Sequence, residues 1–373
     1  MIKFLANPRI FVFTIIWMMV LVFIGTIAQR DIGLYLAQQK YFSSLLLWLE
    51  IGGFQVLPLP GGLLTMIILF VNLLAFFFKP NIWTKNKLGV LIIHGGALVL
   101  LLGGGITAGF SNEGRMVITE GQSSDYIESW HEKEFSISID YGEETDSLEI
   151  INFSEELLKK NEVLQHHKLP FQIKVIDYFI NSEYSEISPS QVITSKKEFT
   201  KISDLKKLPD ELEYEQNASG IKYQIISEQP DIKGTYMSHI LEREEIKTIL
   251  TIDGQTYVLA LRLKRTYLPF KIELKKFKHV EYYQTTKPKS FSSEVMLNTE
   301  GASKRFLIEM NAPLRYDGYT LYQASYSGEQ TSVLAVVKNY GALFPYIASI
   351  IMCIGVLIQM IFRLPKLLKR KND

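Results

Sequence analysis

The stretch Leu88 to Gly109, LGVLIIHGGALVLLLGGGITAG, carries a single histidine, His94, inside an apolar run. At about 1.5 Å of rise per residue, that side chain lies roughly 9 Å into a helix that starts at Leu88. An imidazole at such a depth in a bilayer must be paired, buried against protein or bound to a ligand. Gly89, Gly96 and Gly103 recur every seventh residue and therefore share one helical face, with His94 nearly opposite. Small residues on one stripe let a neighbouring helix approach closely. The glycine face is therefore expected to pack inside the protein, leaving His94 with Leu91, Leu98 and Leu101 on a face open to a ligand or to another subunit. The alternative is a structural histidine, neutral and hydrogen-bonded to a polar group such as Asn72 on the preceding span.

The remaining residues with chemical potential are sparse. His131, His166, His167, His239 and His279 lack the i, i+4 spacing of a helical metal pair. Adjacent His166 and His167 in a strand would point to opposite faces, so surface or structural roles are expected for all five. The single cysteine, Cys353, sits in the last apolar run, which leaves the rest of the chain without a disulfide framework or thiol chemistry. There is no phosphate-binding glycine loop before Lys-Ser/Thr, no His-Glu-x-x-His, no Cys-x-x-Cys and no nucleophile elbow. Gly103-Gly104-Gly105 ends an apolar helix and follows no strand. The chain is neither an evident ATPase nor an evident protease.

The elements that must position His94 follow from the distribution of apolar residues. The 373 residues are 47% hydrophobic with formal net charge +1, which excludes a disordered composition and a globally basic nucleic-acid binder. Apolar residues concentrate in Ile10 to Ala28, Leu63 to Phe78, Leu88 to Ala108 and Ala342 to Phe362, each near the length needed to cross a core of about 30 Å. The expectation is a polytopic α-helical membrane protein with four transmembrane helices. Lys3 and Arg9 precede the first run, Lys79, Lys85 and Lys87 lie between the second and third, and Arg363, Lys366, Lys369, Arg370 and Lys371 follow the last. Positive charge near span ends marks the cytoplasmic side, so both termini are expected there and the segment from Ser111 to about Tyr340 outside. The first run is long and is followed by Gly25-Thr26-Ile27-Ala28-Gln29-Arg30 without a small-x-small cleavage pattern, which reads as an uncleaved anchor. With no Arg-rich transit segment before it, the expected location is a bacterial plasma membrane.

Three regions result: 1–110 with three spans and an interfacial loop, 111–340 as an extracytoplasmic β-rich domain, and 341–373 with the fourth span and a basic tail. Tyr41 to Pro60, with Trp48, Gly52-Gly53, Pro58 and Pro60, reads as a short interfacial helix. The outward segment changes to period two. Phe135 to Ile139, Phe171 to Phe179, Phe270 to Leu274, Ser293 to Leu297, Arg305 to Met310, Tyr319 to Tyr326 and Val333 to Val337 read as strands. Asp253-Gly254 between two apolar runs marks a hairpin. Such a series suggests a β-sandwich or open barrel. Ile150 to Lys160 reads as a short amphipathic helix, and polar Glu183 to Ser219 as an insertion or mobile loop.

Several of these pieces together resemble the ResB (CcsB) family of system II cytochrome c maturation proteins. They are Ile24-Gly25-Thr26 with Gln29, the span with His94 and its glycines, LPFKIELKKF, KPKSFSSEVML, and the run Asn311-Ala312-Pro313-Leu314-Arg315-Tyr316-Asp317-Gly318-Tyr319-Thr320-Leu321-Tyr322-Gln323-Ala324-Ser325-Tyr326. The last is the most specific. The resemblance implies a membrane subunit that works with a CcsA (ResC) type partner to carry haem b, transiently bound, across the membrane for thioether attachment to an apocytochrome c. His94 matches the family's membrane histidine and would be an axial ligand of the haem iron. Histidine commonly holds haem iron, and a neutral imidazole does so without burying a charge. A second imidazole would come from the partner, because His94 is the only histidine in an apolar run. Trp17, Trp48, Trp83 and Trp130 are isolated, so the tryptophan-rich segment of the partner is not in this sequence and the accessory half is implied, a non-catalytic or co-catalytic subunit of a haem lyase complex. A non-haem receptor or transporter accessory protein with a membrane-anchored β-domain is the alternative.

Overall fold

A computed structural model describes residues 2–51, 54–80, 82–141, 149–185, 204–240, 245–283 and 288–371. The chain divides into two compact units: Met1–Asn112 with Arg315–Thr320 and Val337–Asp373, and Glu113–Leu314 with Leu321–Val336.

The first unit is built on four apolar helices. Helix α1, Pro8–Ile32, starts with Pro8 in its first turn, where no N–H is needed, and the Asn7 side chain accepts from the Arg9 N–H at 3.0 Å. It ends at Gly33, whose φ of 78° stops the helix while its N–H still reaches the Gln29 carbonyl. Gly25 lies against the Phe42 ring, where an added Cβ would stand 3.0 Å from that ring. A hairpin of β1, Leu46–Ile51, and β2, Phe54–Pro60, follows. This corrects the interfacial helix expected over Tyr41 to Pro60. Only Gln38–Phe42 form a helical turn there. Pro58 and Pro60 cannot donate to a helix interior, but in a ribbon they fit. The Gly61 N–H bonds the Leu45 carbonyl at 2.9 Å, so residues in phase with Gly61 face the partner strand, and the two proline nitrogens face away.

Helix α2, Gly62–Phe76, has 15 residues, about 22 Å at 1.5 Å per residue, short of a hydrocarbon core of about 30 Å. Helix α3, Leu88–Phe110, and the apolar part of helix α4, Phe344–Lys371, are long enough. Among the described residues three helices, Pro8–Ile32, Lys85–Phe110 and Phe344–Arg363, thus have the length and composition of membrane spans, where the sequence led us to expect four. The helix ends two residues before the expected Phe78, because the chain turns at Phe77 and Phe78 ahead of Pro80.

The glycine face of α3 packs on α4. A Cβ at Gly89 would stand 2.6 Å from the Gly355 carbonyl oxygen and the Gln359 nitrogen, and one at Gly96 would stand 2.5 Å from Met352 Cγ and 3.0 Å from the Ala348 carbonyl oxygen. At Gly103 an added Cβ would overlap Phe344. Gly355 reciprocates, since its Cβ would meet Ile93 and the Gly89 carbonyl. Backbone against backbone is the contact that small residues permit between helices with no hydrophobic drive to associate.

The second unit is mainly β. Its strands in chain order are β3 Asn112–Thr119, β4 Ser123–Asp140, β5 Glu149–Ser154, β6 Val163–Leu164, β7 Gln172–Phe179, β8 Ser182–Ser185, β9 Asp204–Lys207, β10 Gly220–Ile226, β11 Gly234–Ile240, β12 Glu245–Ile252, β13 Gln255–Glu281, β14 Pro288–Thr299 and β15 Ala302–Glu309. Strand β16, Leu314–Tyr316, precedes β17 Tyr319–Ser327 and β18 Thr331–Lys338, which return to the sheet. One path of paired strands runs β16-β17-β18-β3-β4-β13-β12-β11-β10-β7-β6, with β14 beside β13, β15 beside β14 and β5 beside β4. The sheet is a nearly closed barrel-like wall, which decides for the open barrel over the sandwich.

Strand β13 runs for 27 residues. Register shifts between Leu263 and Arg265, Tyr267 and Ile272, and Leu274 and Lys276 bend it, so one strand pairs with β12 in its first half and β14 in its second. The turn before it is the expected one: Asp253 and Gly254 have φ of 49° and 83°, which is what a two-residue hairpin requires. Phe135, Ile137 and Ile139 of β4 alternate into a core with Ile173, Val175, Ile221, Tyr223, Leu259 and Leu261. Ile150 to Lys160 is not a helix. It is β5, with Ile151 and Phe153 buried, followed by the turn Glu155–Leu157, because Ile151-Asn152-Phe153-Ser154 already alternates with period two. Strands β8 and β9 form a small ribbon at the ends of the Glu183 to Ser219 region, and residues 186–203 of that region lie outside the described residues.

Candidate functional site

His94 sits in the second turn of α3, within its cytoplasm-predicted end. Its Nδ1 stands 2.8 Å from the Val90 carbonyl oxygen one turn earlier. A carbonyl only accepts, so Nδ1 carries the proton and donates. In the neutral ring the lone pair is then on Nε2, which has no hydrogen bond among the described residues. The ring also lies flat on Phe76 at the end of α2, with centroids 4.1 Å apart and planes 14° from parallel. A hydrogen bond fixes the tautomer and a stacked ring fixes the plane. A backbone carbonyl on one imidazole nitrogen is the usual outer support of a histidine that binds metal through the other.

Two expectations change here. The face of His94 is partly covered, because α2 reaches it through Phe76 and Leu91 is buried, while His94, Leu98 and Leu101 stay partly exposed. Asn72 does not pair with His94. Its Nδ2 donates to the Leu5 and Asn7 carbonyls at 2.5 and 3.1 Å, tying α2 to the chain before α1. Phe76 was not singled out by sequence, and Lys79, whose ammonium lies 5.6 Å from the Phe76 ring centroid, was named there only as a topology charge. Trp83 adds its indole N–H to the Phe77 carbonyl at 3.1 Å.

The other histidines do not converge on a metal. Among the described residues no group of three or more His, Cys, Asp or Glu could hold one ion. His166 and His167 are not in a strand and do not diverge. They lie in the turn before β7 with ring centroids 4.3 Å apart. His239 is buried, its Nε2 donating to the Ser182 carbonyl at 3.0 Å, and burial pushes its pKa down. His131 stands 3.1 Å from Glu215, with burial the larger influence and its pKa also lowered. His279 stacks on Tyr326 at 5.1 Å. Glu155 joins the strands around β4: it accepts from the Tyr178 hydroxyl at 2.6 Å and lies 4.0 Å from the buried Lys133 amine, which rests 4.2 Å above the Tyr214 ring.

The Asn311 to Tyr326 run, the most specific part of the sequence resemblance, forms a hairpin in which Asp317 and Gly318 turn with φ of 48° and 76°. Lys338 reaches back to it, with its amine 3.6 Å from Asp317 and 4.3 Å above the Tyr319 ring. A stretch of 106 residues, 234–339, including this hairpin, matches the family model described as ResB-like. This part of the chain is ResB-like. LPFKIELKKF, KPKSFSSEVML and the Asn311 to Tyr326 run all fall inside the matched stretch, whereas Ile24-Gly25-Thr26 and His94 lie outside it. The chain is also similar to Protein NrfI of Wolinella succinogenes, with 24% identity over 296 residues. That alignment covers 78% of this chain and 29% of the relative, so this chain spans less than a third of NrfI.

Proposed function

We propose that this chain is a membrane subunit in cytochrome c biogenesis, helping to carry haem across a bacterial plasma membrane for thioether attachment to an apocytochrome c. The ResB-like match over residues 234–339 and the membrane-capable helices support the biogenesis role. The observation that carries the haem reading is the fixed tautomer of His94, whose Nδ1 is held by the Val90 carbonyl while Nε2 keeps its lone pair. Haem is the cargo. His94 Nε2 would ligate its iron, Phe76 would back the imidazole, and Lys79 supplies a cation beside that ring. A second ligand to the iron would come from a CcsA/ResC-type partner, because His94 is the only histidine in an apolar run.

In this reading α2 crosses as well. If it did not, Lys79, Lys85 and Lys87 would face the side opposite Lys3 and Arg9, against the charge rule for short loops. A helix of 15 residues crosses by local bilayer thinning and by Lys79 reaching toward the head groups, at a cost of fractions of a kcal/mol per Å of mismatch. Both termini are then cytoplasmic and the β unit extracytoplasmic.

The test is to purify the complex with its partner and record the haem absorption spectrum. His94→Ala should lose much of the haem and lower cytochrome c maturation at near-normal protein levels, and added imidazole should restore part of both. Full haem content and maturation in His94→Ala would make the histidine structural. A wild-type complex without haem would leave the non-haem accessory role.

A further inference from the structure

The side of the β unit turned away from its apolar core carries a cleft of about 160 Å³ lined by Ser136, Ser138, Lys247, Arg262, Arg265 and Tyr267 with Ile150, Val258 and Ala260. Register explains its composition. Ser136 and Ser138 alternate with the core residues Phe135, Ile137 and Ile139, so they point to the opposite face. Ser138 pairs with Ile150 and Val258, and Ala260 pairs with both Ser136 and Lys247. The floor thus crosses β5, β4, β13 and β12.

Two features of this face go beyond what a sheet surface needs. The Ser136 hydroxyl is buried and has no hydrogen-bond partner among the described residues, a condition that costs free energy unless a ligand or water completes it. The cations are also held in place from outside the cleft. Arg262, 5% exposed, donates through Nε to Glu134 at 2.9 Å and through Nη2 to Asn152 at 3.4 Å. Arg265 donates through Nε and Nη2 to Glu128 at 3.3 and 3.1 Å and stacks 4.3 Å above Tyr126. Neither Glu134 nor Glu128 lines the cleft, and among the described lining residues there are three cations and no carboxylate. Guanidinium groups braced on one edge by a carboxylate are preorganised for an oxyanion on another.

We propose that this cleft is an oxyanion-binding site that takes one carboxylate or phosphate group, with Lys247, Arg262 and Arg265 supplying charge and Ser136 a hydroxyl donor from the floor. Its volume is below the roughly 300 Å³ at which pockets for larger ligands begin, so it holds a head group or a side arm while the rest of the ligand stays outside. A soluble small-molecule anion and a lipid phosphate share this chemistry. The site lies in the second unit and does not depend on the haem reading.

The experiment titrates inorganic phosphate and, separately, acetate into the full chain in an uncharged detergent by calorimetry. Saturable binding of at least one is expected. Lys247→Glu, at an exposed position, should weaken it by about tenfold or more through charge reversal at short range. Ser136→Val should weaken it by filling the floor, and thermal unfolding of both variants near wild type will show that the fold is retained. In nanodiscs containing phosphatidylglycerol, loss of the free-anion signal assigns the site to lipid phosphate, and persistence assigns it to a soluble anion. No saturable binding of either anion, or equal affinity in wild type and both folded variants, overturns the proposal.

Discussion

Replacing Gly89 with alanine tests the packing that holds α3 against α4. The new methyl would stand 2.6 Å from two backbone atoms of α4, the Gly355 oxygen and the Gln359 nitrogen, and from Gln359 Cβ. Ordinary contact begins near 3.4 Å, so the helices must part by several tenths of an ångström, and backbone cannot turn aside as a flexible side chain does. Parting them loosens the packing along the seam, including Gly96 on Met352 and Gly355 on Ile93. Overpacking of this kind costs about 1–3 kcal/mol. Gly104→Ala is the internal control, because its Cβ would meet nothing within 4 Å and only the helix-propensity gain of about 0.5–1 kcal/mol remains. Because both substitutions carry that propensity gain, the two variants should differ by the overpacking cost, about 1–3 kcal/mol in unfolding free energy, measured by denaturant titration in mild detergent micelles with circular dichroism. Equal unfolding midpoints would refute the close α3–α4 seam.

Phe76→Ala removes the ring stacked on His94, and a stacked aromatic pair contributes about 0.5–1.5 kcal/mol. Haem retention by the purified complex should fall about two- to tenfold with His94 intact, and unchanged retention would show that the ring does not set the imidazole plane. Reporters fused after Phe78 and at the C-terminus should read cytoplasmic, and one inserted at the exposed turn of Gly121 should read external; an external reading after Phe78 would remove the crossing by α2. Ser190, another position for such a fusion, lies outside the described residues. Burial lowers the pKa of His239 in the folded state, so the unfolded chain takes up its proton first as pH falls below about 6.5. The associated stability is full above that pH and is lost as pH drops toward the folded pKa, and the lowered His131 acts in the same direction. The Tm should fall between pH 8 and pH 5, and less steeply in His239→Gln; the same slope in both would remove His239 from the acid response.

The sequence determined the features that depend on local pattern. The alternation in Phe135 to Ile139 required a strand with one buried face, and Asp253-Gly254 required a tight turn, because the positive φ angles there suit few other residues. Gly89, Gly96 and Gly103 at seven-residue spacing specified a close helix contact without naming the partner. Period and spacing are set within one turn or one strand, so they survive in the sequence. Tertiary structure decided what depends on distant residues. It selected α4 as the partner of the glycine face, placed Phe76 on His94, and directed Asn72 to the Leu5 and Asn7 carbonyls. It also made Tyr41 to Pro60 a hairpin, since the Gly61 N–H found the Leu45 carbonyl and left the proline nitrogens outward. The oxyanion cleft was least visible of all. Ser136, Lys247 and Arg262 are far apart in sequence, and only the register of β12, β13 and β4 brings their side chains to one face of the sheet.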